Sequence, residues 1–334
     1  MTWLAWRQLR IPAAATAALV ALLIFAVALV HAGHTPADAE SARQLIGGLR
    51  ALAKRVVVFG DVLVLLLPAA IGAFWGAPLL ARELEAGTHR LAWAQSVTRT
   101  RWLLTKLALT AAAAVVVAGT ASLALSRWVA PIDAAVAKTG DQGGLYLARV
   151  APVVFPARGI VPIGLALFAL MLGVVAGLLV RRTLPAMAIT LVVFLMVSLA
   201  VPQWIRPHLV APVTVAQRMG GEGAAGTFLQ FQPRRPPRVV MTMPGTWILS
   251  QRTVDRTGKA TSLPSSFQNC ARPEAAGPPS LKPCFDALYR AGYRQRFVYQ
   301  PASHFWPLQL VETALYVALA LALGAVALWR IRFI

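Results

Sequence analysis

The amino-acid sequence predicts an all-α membrane protein with six transmembrane helices and a small mixed α/β domain outside the membrane. Hydrophobic residues make up 58% of the 334 residues and charged residues only 13%, whereas a soluble domain is about half apolar and a quarter charged. Six apolar runs reach the roughly 20 residues that a helix needs to cross about 30 Å of hydrocarbon. These runs are 12–30, 56–80, 103–126, 160–180, 184–204 and 307–329.

The first run resembles a secretory signal, but it is too long for one and five further runs follow it, so we interpret it as an anchor. Before it, residues 1–11 combine Trp3 and Trp6 with Arg7 and Arg10. This composition favours a helix on the inner membrane surface, and a plain extension of the first helix is the alternative. The predicted organisation is therefore an interfacial helix at 1–11, helices one to five at 12–204 with a cytoplasmic loop at 82–102, an extracytoplasmic domain at 205–306, and the last helix with a short tail at 307–334.

Lys and Arg in the short loops predict an N-in/C-in orientation in a bacterial cytoplasmic membrane. The tight Arg181-Arg182 turn is the clearest inner signal, although loops 31–55 and 127–158 also carry four basic residues each. The formal net charge of +20 fits an Arg-rich codon bias with membrane-flanking residues better than a nucleic-acid partner. Tryptophans predicted to lie at the interfaces bracket the third and sixth runs: Trp102, Trp128, Trp306 and Trp329.

The extracytoplasmic domain is predicted to contain strands at 239–243, 246–250 and 295–300 and a short helix at 284–291 that ends at Gly292. It also holds the two cysteines of the chain, Cys270 and Cys284. Cysteines confined to a segment outside the membrane predict a disulfide, which would close a loop of about 15 residues and contribute roughly 3 kcal/mol. Two free thiols are the alternative.

Motifs for catalysis or cofactor binding are missing from the sequence. There is no Gly-x-x-x-x-Gly-Lys-Ser/Thr loop to hold ATP phosphates. The Gly-x-Gly-x-x-Gly letters at 221–226 lack a βαβ context, and the five histidines have no zinc-ligand spacing. We therefore expect no catalytic site, no metal and no cofactor in this chain.

Two carboxylates fall within predicted spans, Asp61 and Glu312. Charged residues inside a membrane are costly and usually face the bundle interior, so both are candidates for lining an outer gate that meets cationic cargo. The alternatives are pairing with Lys54 or Arg55, or snorkelling to the headgroups. Two Gly-x-x-x-Gly patterns, Gly72/Gly76 and Gly173/Gly177, predict close helix contacts.

The most informative segment is the inner loop between the second and third spans. Gly87 is suited to end one helix and Thr88 to begin another, while Ser96 or Thr98 caps the third span. Leu91 and Trp93 would then place apolar side chains on a short helix at the membrane surface. The charged residues around them are Glu83, Glu85 and Arg90.

At these positions the sequence resembles the type-2 ABC transporter permeases, whose loop typically reads Glu-x-Gly-Thr, a Leu, Pro-Val-Ser-Arg and a Lys in the next helix. The chain has Ser96 where those proteins have Pro. Segments 74–78 and 299–307 are similar to actinobacterial members. The matching residues are Glu85, Gly87, Thr88, Leu91, Val97, Thr98, Arg99 and Lys106.

The resemblance implies that the 82–99 loop is a coupling helix that docks on a separate ATP-binding subunit, which binds ATP and Mg²⁺. It also implies two permease copies, as a homodimer with two ATP-binding subunits, that enclose a path for amphiphilic or drug-like cargo. Phe74 and Trp75 join Asp61 and Glu312 as candidates for that path. The alternative function is a non-transporting membrane sensor whose extracytoplasmic domain binds a ligand.

Overall fold

The computed structural model describes residues 52–88, 98–139, 148–218, 227–232, 235–241, 245–264, 267 and 282–333. These residues form a mostly helical protein with a small antiparallel sheet. Among them, five helical segments are long and apolar enough to span a membrane: Val58–Glu85, Arg99–Ala130, Val161–Val180, Thr183–Leu209 and Ala302–Phe333. The predicted span at 12–30 lies outside the described residues, so the sixth helix and the N-in orientation stay predictions.

Eight α-helices make up the helical part of the described chain. They are α1 (Leu52–Ala70), α2 (Ala77–Glu85), α3 (Arg99–Thr139), α4 (Val161–Val180), α5 (Thr183–Ala200), α6 (Arg206–Leu209), α7 (Lys282–Ala291) and α8 (Phe305–Arg330). The five spans agree with the apolar runs, but helix ends extend past them because polar residues continue a helix beyond the hydrocarbon. The largest extension is in α3, which has 41 residues and a length of about 60 Å.

The four tryptophans predicted to lie at the interfaces differ in exposure. Trp306 and Trp329 are exposed on the chain surface, whereas Trp102 and Trp128 are buried inside the bundle. Burial within the chain does not fix the depth of a ring in the membrane, so the interfacial position of all four stays a prediction.

Two π-helical turns interrupt the spans, and each is followed by a proline. Ile71–Gly76 joins α1 to α2 and precedes Pro78, and Val201–Ile205 joins α5 to α6 and precedes Pro207. Proline has no N–H and its ring collides with the carbonyl four residues earlier in an α-helix. The wider i→i+5 turn relieves that collision, which explains why the helix continues instead of ending.

Helix α4 is the centre of the bundle. Of the 18 residues in its most apolar stretch, 67% are buried. The corresponding stretches of the spans that contain α5 and α8 are each only 22% buried. It packs against α8, α5 and the α1–α2 segment. The side chains that join α2, α3, α4 and α8 near the end of α2 form one apolar cluster: Leu79, Leu80, Trp102, Leu103, Leu107, Val174, Val175, Leu178, Ala327 and Ile331.

The two predicted Gly-x-x-x-Gly patterns meet each other where α4 crosses the α1–α2 segment. A Cβ atom on Gly72 would lie 2.7 Å from the Ala169 carbonyl oxygen, and one on Gly173 would lie 2.7 Å from the Ala77 nitrogen. Cβ atoms on Gly76 and Gly177 would likewise collide with backbone carbonyl oxygens across the crossing. Only residues without side chains permit this backbone approach.

A second compact unit comprises Val136–Ala151 and Val210–His304. It holds a three-stranded antiparallel sheet in the order β1-β5-β4 and a separate β2-β3 hairpin. The strands are β1 (Val213–Arg218), β2 (Thr227–Gln232), β3 (Arg235–Met241), β4 (Trp247–Val254) and β5 (Arg294–Gln300). The sequence predicted β3, β4 and β5 to within a few residues, and it missed β1 and β2.

Helix α7 covers one face of this sheet. Phe285 and Leu288 from α7 pack with Phe297 from β5, Leu263 and Phe267 in a small apolar core. As predicted, the helix is followed by Gly292, which takes a positive φ of 80°. Cys284 lies in the same core and Cys270 lies outside the described residues, so their disulfide stays a prediction.

We expect Gly173→Ala to destabilise the helical bundle by about 1–3 kcal/mol, because its methyl group cannot fit between two backbones without moving them. Gly119→Ala and Gly324→Ala are matched controls, since their Cβ atoms would meet side-chain atoms at 3.5 and 3.9 Å, which is ordinary contact. Thermal unfolding of the three variants in detergent measures the difference. Equal midpoints for all three would show that the glycine crossing is not a close contact.

Candidate functional site

Most of the predicted site residues in the helical bundle fall at its two ends, and Phe74 and Trp75 lie midway along the second span. The Glu85 end contains the end of α2 and the start of α3, and the charge pattern predicts that it is cytoplasmic. The Arg158 end contains the segment that precedes α4. Arg90, Leu91 and Trp93 of the predicted coupling helix lie outside the described residues. The structure therefore describes only the end of α2 and the start of α3 on either side of that loop, which we call its two roots.

The first root is the end of α2. The helix stops at Glu85, Ala86 is its C-cap, and Gly87 has a φ of 70°, so the predicted break at Gly87 is present. The Thr88 hydroxyl donates to the Glu83 carbonyl oxygen at 3.5 Å, which turns the chain back over the helix end. At the second root, the Thr98 hydroxyl oxygen accepts the backbone N–H of Arg101 at 3.4 Å, as predicted for the cap of α3.

Glu83 connects α2 to α3. Its carboxylate lies 2.5 Å from the Lys106 ammonium, and both side chains are largely buried, with 12% and 7% exposed. The ammonium also lies 4.3 Å from the centre of the Trp102 ring, a cation–π distance. Glu83 therefore faces a neighbouring helix in this chain.

Glu85 connects α2 to α5. One of its carboxylate oxygens accepts the Thr183 backbone N–H at 3.0 Å and the Thr183 hydroxyl at 2.8 Å. Thr183 is the first residue of α5, where unpaired N–H groups and the helix dipole favour an anion. The Glu85 carboxylate thus caps α5 from outside that helix, so the root of the loop is fixed to two further helices.

Asp61 lies at the Arg158 end in a cluster of two carboxylates around one guanidinium. Arg158 donates through Nη1 to both oxygens of Asp133 at 2.9 Å and, more weakly, to Asp61 at 3.4 and 3.5 Å. Arg158 and Asp61 are both buried. The cluster joins α1, α3 and the segment before α4.

Glu312 is fully buried and pairs with Arg206, which is also fully buried. Two parallel hydrogen bonds of 2.6 and 2.8 Å connect the guanidinium to the carboxylate, the bidentate geometry of a strong ion pair. The same guanidinium donates to the Pro152 carbonyl oxygen at 3.1 Å and lies 4.5 Å from the centre of the Phe155 ring. Both predicted carboxylates thus have arginine partners in this chain.

Segment 152–160 is held between the helices by polar contacts. The Gln309 carbonyl accepts the backbone N–H groups of Ile160 and Val161 at 2.9 Å, which caps the start of α4. The Gln309 amide donates to the carbonyl oxygens of Phe155 and Arg158. Ser122 also donates to the carbonyl of Gly159 at 2.7 Å, so the segment closes this end of the bundle.

Phe74 and Trp75 occupy the π-helical turn between α1 and α2. The Phe74 side chain is exposed on the surface of the chain, whereas Trp75 is buried. The indole N–H of Trp75 has no hydrogen-bond acceptor within the described part of the chain. The two neighbours therefore face opposite environments, Phe74 on the surface of the chain and Trp75 inside the bundle.

Sequence reasoning missed the partners of the two membrane carboxylates, Arg158, Asp133 and Arg206, and the capping residue Gln309. Arg158 and Arg206 lie next to the ends of predicted spans, where basic residues are usually interfacial. The signal that could have identified them is the cost of an unpaired carboxylate within a span, since Asp61 and Glu312 each require a cation near the same end.

We expect Glu83→Gln to destabilise the protein by about 3–5 kcal/mol, because it removes the carboxylate that pairs with the buried Lys106 ammonium. The double variant Glu83→Gln/Lys106→Met should recover most of that loss, since both charges are then removed. Thermal unfolding of the two variants beside the parent gives the answer. A double variant no more stable than Glu83→Gln would contradict a buried pair.

The family profile described as "ABC-2 membrane transporter related" matches residues 11–206, which is more than half of the chain. No curated protein and no solved structure matches the chain. The profile covers the 86–98 loop, the glycine crossing and the Arg158 cluster. The apolar helices make the chain a multi-pass membrane protein, consistent with a bacterial plasma membrane. Members of this family are transmembrane permease subunits that have no catalytic site of their own and associate with an ABC ATP-binding subunit. The chain belongs to the ABC-2 membrane transporter related family.

Proposed function

We propose that this permease subunit exports amphiphilic or drug-like molecules, together with a second copy of itself and two copies of a separate subunit that binds ATP and Mg²⁺. The observation that supports a coupled transporter is the anchoring of the 86–98 loop. Its roots are fixed to α3 through Glu83–Lys106 and to α5 through Glu85–Thr183. A loop built only to connect two spans needs no such attachment.

The anchoring gives a route for movement from the ATP-binding subunit into the membrane. A force on the loop acts on the end of α2, and the two carboxylates pass it to α3 and α5. The glycine crossing passes it to α4, because backbones in direct contact cannot slide without moving each other. The loop would then move four helices as one body.

Asp61 and Glu312 differ in how they could serve at the opposite end. Glu312 is in a closed bidentate pair with Arg206, which favours a structural role for both residues. Asp61 shares Arg158 with Asp133, which lies closer to the guanidinium. The hydrogen bonds from Arg158 to Asp61 are therefore the ones that can break while Arg158 stays paired. We assign Asp61 to the transport path, where its carboxylate would meet cationic cargo.

Phe74 is the apolar candidate for contact with cargo. Its exposed ring belongs to the π-helical turn of the second span, and π-turns recur at functional sites. In a path enclosed by two copies, this surface would offer an aromatic contact to the apolar part of an amphiphile. Trp75, buried behind it, would hold the turn in place.

The class of function is tested by co-expression with candidate ABC ATP-binding subunits from the same organism, beginning with any that a neighbouring gene encodes. Co-purification of the two proteins and ATP-dependent transport by vesicles that contain both would support the exporter. Co-purification with a signalling protein instead, and no transport, would support the membrane sensor.

Truncation of Leu91 or Trp93 to Ala should weaken binding of the ATP-binding subunit or uncouple ATP hydrolysis from export, since apolar anchors dominate interface energies. Loss of 1–3 kcal/mol corresponds to roughly 5- to 150-fold weaker assembly. Pull-down and ATPase assays measure both effects, and Trp329→Ala, at the exposed end of α8, is the control. A photocrosslinker at position 91 or 93 that captures only lipid or another span would refute the assignment.

Asp61→Asn should lower export with little change in thermal stability, because Arg158 keeps Asp133 as its partner. Glu312→Gln should lower stability by about 3–5 kcal/mol, because Arg206 is left buried without a counter-charge. Vesicle transport and thermal unfolding separate the two effects. Unchanged export by Asp61→Asn would leave that residue a structural role only, and a stable Glu312→Gln protein that cannot export would place Glu312 in the path.

A further inference from the structure

The three-stranded sheet of the second unit carries arginines on the face opposite α7. In the sheet register, Arg252 of β4 lies directly opposite Arg296 of β5. Arg294 precedes Arg296 by two residues and therefore shares its face. Phe297 points to the other face and packs against α7. Three guanidinium groups thus occupy one face of two neighbouring strands.

These arginines make no ion pair with any described residue. Arg252 and Arg296 are exposed and Arg294 is half-buried. The contact recorded for Arg296 is a hydrogen bond of 3.0 Å to the Gly258 carbonyl oxygen. Like charges directly opposite each other destabilise a sheet, so this arrangement costs stability unless an anion lies over it.

Among the described residues of this unit, the carboxylates do not form ion pairs with these three arginines. Asp255 accepts hydrogen bonds from the Thr257 N–H and hydroxyl and from the Lys259 N–H, at 2.8, 2.6 and 3.0 Å. These bonds lower the pKa of Asp255 and hold its charge within its own turn. Over the whole segment 210–304 the sequence has 12 Lys and Arg against 4 Asp and Glu, a net charge of +8.

We propose that this face, defined by Arg252, Arg294 and Arg296, binds the anionic phospholipid headgroups of the surrounding bilayer. Guanidinium groups match phosphate oxygens with paired hydrogen bonds. Each basic residue near an anionic membrane surface adds to the attraction, so the three arginines together bind more strongly than any single contact would.

The connections of the sheet to the membrane helices favour lipid over a soluble polyanion. Three residues join α6 to β1, and four join β5 to α8. The sheet is therefore tethered at two points to membrane helices, which gives it a high effective concentration of headgroups. A soluble polyanion would have to compete with that local supply.

Arginine footprinting of the full chain in nanodiscs tests the proposal. Phenylglyoxal modification, read by mass spectrometry, is compared between nanodiscs of zwitterionic lipid alone and nanodiscs that also contain phosphatidylglycerol. Arg290 serves as an internal control, because it is exposed on α7, which covers the other face of the sheet. We expect modification of Arg252 and Arg296 to slow at least fivefold in anionic nanodiscs, with no change at Arg290.

Two further arms identify the source of the protection. Raising the salt concentration to 1 M should remove it, since the Debye length falls to about 3 Å. Adding polyphosphate to zwitterionic nanodiscs should protect the face less than anionic lipid does. Equal modification in both nanodiscs, protection of Arg290 to the same degree, or protection by polyphosphate alone would each overturn the proposal. The variant Arg252→Gln/Arg296→Gln should lose the lipid-dependent protection of Arg294.

Discussion

The close approach of α4 to the α1–α2 segment determines where the other contacts of the bundle can form. Four glycines bring the two backbones together in the middle of the membrane region. The same helix pair carries a polar contact at each end, Asp61 with Arg158 just before α4, and Glu85 with Thr183 just after it. A wider crossing would move each side chain away from its partner, so packing at the crossing affects the polar contacts at both ends.

Buried ion pairs in this protein define which helices are neighbours more than they add stability. Removing two charges from water costs several kcal/mol per ion, and the attraction between them often only offsets that cost. Breaking one pair is nevertheless expensive, because a lone charge remains. The Arg206–Glu312 and Glu83–Lys106 pairs therefore act against alternative packings, in which either charge would lack its partner.

Hydrophobic length and turn residues allowed much of the fold to be predicted from the sequence. The five described spans, the break at Gly87 and the strand at 294–300 follow from local patterns that need no knowledge of neighbours. The Gly-x-x-x-Gly patterns predicted close contacts, but their meeting with each other depends on which helices pack together. Arg158 and Arg206 were missed for the same reason, since a residue beside a span becomes a buried partner only through tertiary structure. β1 and β2 have little periodicity, and β1 also pairs non-locally, with β5.

The π-helical turn at Ile71–Gly76 has a consequence for the register of the second span. A π-turn holds one more residue than an α-turn, so every residue after it is rotated by about 100° from where an uninterrupted α-helix would put it. A helical wheel drawn through the span would assign Glu83 and Glu85 to the wrong faces. Conversely, a homologous chain with one residue fewer at this turn could form an uninterrupted α-helix there. Asp61 would still face Arg158, and Glu85 would still face Thr183. A length difference of one residue in the second span is thus compatible with both polar contacts.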